Sequence, residues 1–103
     1  MFEEFDAKYD DFCWFEIQDE HSKTNLEKQA KLEISDLCPL YEFKDKLVCV
    51  AKSERQDDVL FYYNEKYYVI HLSWNNGINK DLRYKELLPD ELSNYFESYY
   101  QNV

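Results

Sequence analysis

The stretch Val59-Leu60-Phe61-Tyr62-Tyr63-Asn64-Glu65-Lys66-Tyr67-Tyr68-Val69-Ile70-His71-Leu72-Ser73-Trp74 decides how this chain folds. Its two arms are dense in aromatic and β-branched side chains, which suit a pleated, half-buried surface. Between them lies Asn64-Glu65, and asparagine tolerates the left-handed backbone that a tight hairpin demands. A two-residue turn there sets Tyr62 opposite Tyr67, Leu60 opposite Val69 and Asp58 opposite His71. A three-residue turn would shift that parity. The other side of the hairpin carries Val59, Phe61, Tyr68, Ile70, Leu72 and Trp74, which is the more apolar set and is expected to pack on helices.

Working outward, Leu47 to Lys52 is a short valine-rich run, joined to the hairpin by the polar segment Ser53 to Asp58. The centre of the chain therefore reads as a three-stranded antiparallel meander, with a fourth strand if Leu82 to Tyr84 adds an edge. Residues 2–13 show helical spacing at Phe2, Phe5, Tyr9 and Phe12, and Trp14, Phe15 and Ile17 either continue that helix or turn into a short extended piece. Thr24 with Glu27 matches a capping box, so a second helix is expected from Asn25 to Ser35, with Leu26, Ala30, Ile34 and then Leu37 turned inward and Pro39 beyond its end. Asn75-Asn76-Gly77 marks a turn. Pro89-Asp90-Glu91 opens a terminal helix running to about Tyr100, with Leu92, Tyr95, Phe96 and Tyr99 as its apolar stripe. The expectation is one α+β domain over residues 1–103: a three- or four-stranded meander packed against N-terminal helices and a C-terminal helix.

The totals restrict what such a domain can do. The net charge is −10, and the first twenty residues hold Glu3, Glu4, Asp6, Asp10, Asp11, Glu16, Asp19 and Glu20 against Lys8 alone. A surface of that sign repels nucleic-acid phosphates and anionic lipid, and favours a cationic partner; the alternative is that the acidity serves solubility. Three cysteines, Cys13, Cys38 and Cys49, are odd in number and widely spaced, which fits reduced thiols and a cytoplasmic setting. The N-terminus lacks the basic start and apolar run of a signal peptide, and no apolar stretch is long enough to span a membrane.

The motifs that carry chemistry are few. A single glycine, Gly77, cannot build a glycine-rich phosphate loop. Cys13, His21, Cys38, Cys49 and His71 are scattered rather than paired, so neither a metal nor another cofactor is expected. Asp58 and His71 form the one pair of catalytic character, because a carboxylate opposite an imidazole fixes the tautomer a general base uses. Cys49 on a neighbouring strand would add a thiol–imidazole pair. Aspartate is also common where a turn enters a strand, and structural pairing is favoured over catalysis. Trp74 is expected to seal the core beneath the Asn-Gly turn. Ten tyrosines exceed what one small core can bury with their hydroxyls satisfied. Some must therefore be exposed, and for Tyr62, Tyr63, Tyr67, Tyr99 and Tyr100 core packing competes with a place at an interface, where the ring buries a large area at low entropy cost.

Four segments taken together, Leu32-Glu33-Ile34-Ser35, Pro39-Leu40-Tyr41, Asp57-Asp58-Val59-Leu60-Phe61 and Val69-Ile70-His71-Leu72-Ser73-Trp74, resemble a group of small uncharacterised bacterial proteins. In that group an Asp-Asp-Val-Leu-Phe strand is followed by a Val-His-Leu-Thr-Trp strand. The resemblance covers about residues 30–74. It departs at Ser73, where threonine is usual, and at Cys38, where histidine precedes the proline, and no proline-rich segment follows the tryptophan. It implies the fold and a bacterial origin rather than an activity. In build and composition the chain is also similar to immunity proteins that neutralise bacterial toxins.

Three readings of function follow. The first is a small acidic binding protein, an immunity- or antitoxin-like inhibitor of a basic protein, contacting its partner through Glu3, Glu4, Asp6, Asp10, Asp11, Tyr62 and Tyr67. The second is a small enzyme or ligand-binding module centred on Asp58 and His71, with Cys49 nearby, which requires a concave site beside a solvent-reachable imidazole. The third is a self-associating structural subunit. The sequence leaves the oligomeric state open.

Overall fold

Five antiparallel strands in the order β1-β2-β3-β4-β5 form the centre of the computed structural model, which describes residues 1–101, with side chains through Ser98. The elements are α1 (Glu3–Lys8), β1 (Trp14–Glu16), α2 (Glu20–Glu33), a 3-10 segment (Pro39–Lys46), β2 (Val48–Ser53), β3 (Asp58–Tyr63), β4 (Lys66–His71), β5 (Arg83–Leu87) and α3 (Pro89–Gln101). The α+β class read from the sequence holds, and the strand count is corrected from three or four to five. The two additions are the short extended piece at Trp14 and an edge strand that runs past Leu82–Tyr84 to Leu87. The side chains of Tyr99 and Tyr100 lie outside the described residues.

The hairpin turn is the two-residue type that the register requires. Asn64 and Glu65 both take left-handed backbone, at φ 51° and 63°, the mirror-image turn whose twist matches that of its strands. Asp58 pairs with His71, Leu60 with Val69 and Tyr62 with Tyr67. One set of side chains, Val59, Phe61, Tyr68, Ile70 and Leu72, packs against Leu26 and Ala30 of α2, Ile34 just past its end and Leu40 of the 3-10 segment.

The opposite face is covered as well. Leu60, Val69, Ala51, Trp14 and Leu87 pack against Phe2 just before α1, Phe5 of α1 and Phe96 of α3. Phe96 is the hub there, with ring centroids 5.2 Å from Phe2, 5.1 Å from Trp14 and 5.4 Å from Tyr95. Leu60 and Val69 are both buried, and burying such a side chain contributes about 2 kcal/mol. A bulge between Cys49 and Ala51 makes this second core possible. One extra residue reverses the alternation, so Cys49 faces α2 while Ala51 faces α1 and α3.

Several local expectations are corrected. The first helix stops at Lys8 rather than running to residue 13. Phe12 reaches the aromatic cluster from a turn, stacking on Phe5 at 5.4 Å, so helical spacing arises without a continuous helix. Helix α2 begins five residues before the expected site. Asp19 caps it, accepting hydrogen bonds from the Ser22 backbone N–H and hydroxyl, both at 2.8 Å, because an aspartate cap also places negative charge at the positive helix end. Thr24 lies inside the helix, and Glu27 instead accepts from the Cys49 N–H at 2.9 Å. Leu37 is 89% exposed rather than inward, since α2 has ended at Glu33. Strand β4 ends at His71, short of Trp74. Among the described residues no helix is long and apolar enough to cross a membrane.

Candidate functional site

Asp58 opens β3 and His71 closes β4, so the hairpin register alone brings them together. The His71 Nδ1–H donates to Asp58 Oδ1 at 2.8 Å, which fixes the ring orientation and turns Nε2 away from the carboxylate. The imidazole side chain is 40% exposed and the Asp58 side chain 14%. The antiparallel pairing of β4 with β5 sets Arg83 opposite His71 and Lys85 opposite Val69, so all four side chains project from the same sheet face. They line an open groove of about 320 Å³ with Tyr95 of α3 as one wall. Tyr95 is the described side chain of α3 that lines the groove, which lies open to solvent beside Asp58 and His71.

Cys49 does not join this group. It lies on the face toward α2, and burial, with the Glu27 carboxylate second, pushes its thiol up to about 12. A buried, protonated thiol is neither a nucleophile nor a partner for the imidazole. The separation follows from parity, since Cys49 pairs with Phe61 while Asp58 belongs with Leu60 on the other face.

A second constellation, not anticipated from the sequence, lies just beyond β4. Glu33, at the end of α2, is wholly buried. Its Oε1 accepts from the Ser73 backbone N–H and hydroxyl, both at 2.8 Å, and its Oε2 from the Trp74 N–H at 2.9 Å and Gln29 Nε2 at 2.8 Å. Burial alone would raise the carboxyl, but these donors outweigh it and hold it below its ordinary value. Trp74 is thereby fixed with left-handed backbone, at φ 61°. It is 46% exposed and does not seal the core; its indole N–H donates to Asp57 Oδ1 at 2.8 Å. The signal for Glu33 was its place in α2: three residues after Ala30 and seven after Leu26, it falls on the apolar stripe. A charged residue on such a stripe must be satisfied internally.

The acidic residues are laid out differently. Glu3, Glu4, Asp6, Asp10 and Asp11 are all exposed on α1 and the turn after it. Lys8, the base among them, is paired with Glu97 of α3. The Met1 amine lies between Glu3 at 2.8 Å and Glu16 at 2.9 Å. Tyr62 and Tyr67 are half-buried and pack edge to face at 5.1 Å, beside the hairpin turn. Trp14, on which the α1 cluster rests, pairs with Ser53 at the other end of β2, so the structure does not merge the acids and the tyrosine pair into one groove. Among the described residues, no three His, Cys, Asp or Glu side chains are grouped to hold a metal ion.

No family model, curated protein or solved structure matches the chain.

Proposed function

We propose that this chain is a small acidic binding protein that engages a basic protein partner through its N-terminal segment, in the manner of an immunity protein or antitoxin. The observation that carries this reading is the exposure of Glu3, Glu4, Asp6, Asp10 and Asp11 on one short segment whose single lysine is already neutralised by Glu97. Such a surface steers a cationic partner during encounter and repels an anionic one. The ammonium between Glu3 and Glu16 is the kind of contact such a partner would make. Three free cysteines support a cytoplasmic setting.

The test starts with affinity purification from the source cell at low salt, identification of the retained protein, and measurement of its association rate against ionic strength. The expected partner is basic, and its on-rate falls steeply with salt. The combined substitution of Glu3 and Glu4 by Gln, and of Asp6, Asp10 and Asp11 by Asn, removes most of that dependence. Retention of nothing at low salt, or an on-rate indifferent to salt and to those substitutions, overturns the reading.

A second reading, a ligand-binding module at the Asp58–His71 groove, is favoured by one specific observation: the imidazole is oriented by its carboxylate and reachable from solvent beside a concavity. Fragments of mixed charge, screened by amide chemical-shift mapping, should perturb His71 and its strand neighbours. Silence at those amides across the whole screen removes this reading.

A further inference from the structure

We infer that the groove at the open end of the sheet is a site for a small organic phosphate, gripped by Arg83, Lys85 and His71. This rests on reading the groove as a ligand site and names the chemistry of the ligand.

The charge balance is the first argument. The chain carries −10 overall, yet the groove gathers two cations that no carboxylate neutralises. Among the described residues neither Arg83 nor Lys85 makes an ion pair, and the Lys85 ammonium lies over the Tyr95 ring, 5.5 Å from its centroid. The one acid lining the groove beside them, Asp58, is committed to His71 Nδ1. Glu91 shares the adjoining cavity with Lys85 but does not line this groove, so residual positive charge faces the concavity. The acids of α1 are exposed, and exposed charges are largely screened beyond about 8 Å at physiological salt.

Geometry chooses phosphate over carboxylate. Arg83 and His71 are direct cross-strand neighbours, so their Cβ atoms lie about 5 Å apart. Lys85 is two residues along β5 from Arg83, a step of about 7 Å. Three groups at the corners of such a triangle can each meet a different oxygen of a tetrahedral anion, whereas a flat carboxylate has two oxygens to offer. The guanidinium fork suits bidentate contact with phosphate, and the ammonium serves as a point charge. With Nδ1–H given to Asp58, Nε2 accepts from a P–OH when the ring is neutral and donates to a P–O⁻ when it is protonated. The Tyr95 ring forms the wall against which the organic part would rest. A groove of about 320 Å³ suits a small phosphate monoester.

The probe is phenyl phosphate, titrated into the full chain and followed by amide and imidazole chemical shifts, with benzoate and uncharged benzyl alcohol in parallel. The expected result is saturable shifts at His71, Arg83 and Lys85, with Kd on the order of 1 mM. Arg83→Ala and Lys85→Ala, both at exposed positions, should each weaken binding about tenfold. Lys28→Ala on α2 should leave it unchanged. Absence of saturation, or affinity unaltered in Arg83→Ala, overturns the inference. Benzoate or benzyl alcohol binding as tightly as phenyl phosphate overturns it too, while leaving the groove standing as a ligand site. No shift with any of the three probes removes phosphate as the ligand, and only the broader fragment screen then decides the groove itself.

Discussion

Replacing Glu33 tests how the segment beyond β4 is held. The carboxylate collects four donors from three residues, two of them backbone N–H groups of Ser73 and Trp74. Glu33→Ala leaves those two without an acceptor. An unsatisfied, partly buried donor costs about 1 kcal/mol at the low end of its range, and the void left by a wholly buried side chain adds about 1 kcal/mol. The Gln29 amide and Ser73 hydroxyl can turn toward water and add little. The sum is about 3 kcal/mol, a large share of a stability that for such domains is about 5–15 kcal/mol, and it corresponds to a fall in Tm on the order of 15 °C. Urea and thermal unfolding at neutral pH read both quantities.

Glu33→Gln separates charge from shape. An amide keeps one acceptor but turns an NH₂ group toward donors, so it should cost about 2 kcal/mol at neutral pH. Because the folded carboxyl is held below its ordinary value, its stabilisation is fully present above the unfolded carboxylate pKa, roughly 4.3, and is lost as pH falls through the lower folded value. The gap between wild type and Glu33→Gln should therefore narrow on acidification within that window. A gap that stays constant to pH 3, or a Glu33→Ala protein within about 0.5 kcal/mol of wild type, refutes the account.

Other outcomes are equally direct. Glu65→Gly should raise stability by about 0.5–1 kcal/mol, because Glu65 sits at φ 63° and glycine occupies that region without penalty; a lower urea midpoint contradicts this. Trp74→Ala should cost about 1 kcal/mol or less, against the 3–5 kcal/mol of a truncated core aromatic, since the ring is half exposed and its bond to Asp57 lies at the surface. Toward a thiol reagent at pH 8, Cys38 should react first, being the least buried of the three. Cys49, with its thiol pushed up to about 12, carries a thiolate fraction on the order of 10⁻⁴ and should react only on unfolding. Rapid modification of Cys49 in the native protein would contradict its burial.

How far the sequence reaches depends on whether a feature is local. The hairpin register was legible because a two-residue turn and strict alternation leave one pairing, and that register places Asp58 on His71. Strand β1 was not, because three residues carry too little pattern to separate extended chain from the end of a helix. The second core was hidden by the bulge at Cys49/Ala51, which inverts one half of β2 without a turn residue to announce it. Trp74 misled for a related reason. Alternation carried on from Leu72 would bury it, but β4 ends at His71 and the donors on Glu33 turn the backbone left-handed there. Arg83 and Lys85 could be placed beside His71 only once β5 was known to pair with β4.

Coverage of both sheet faces also limits where this protein can act. Helix α2 takes one face and α1 with α3 the other, so the broad sheet surface that a one-sided meander would offer is absent. The two proposed sites accordingly lie on the rim: the acidic segment before β1, and the groove beside Asp58 and His71 with Tyr95 as one wall. These two parts of the rim carry opposite charge. A basic protein bound at the first would not compete sterically with a small anion at the second unless it wrapped α3, because Phe96 and its aromatic partners fill the space between α1 and the sheet. The two sites should therefore bind additively. A phenyl phosphate affinity that changes more than about twofold when the five N-terminal acids are neutralised would mean that the charges act over a longer range than screening allows.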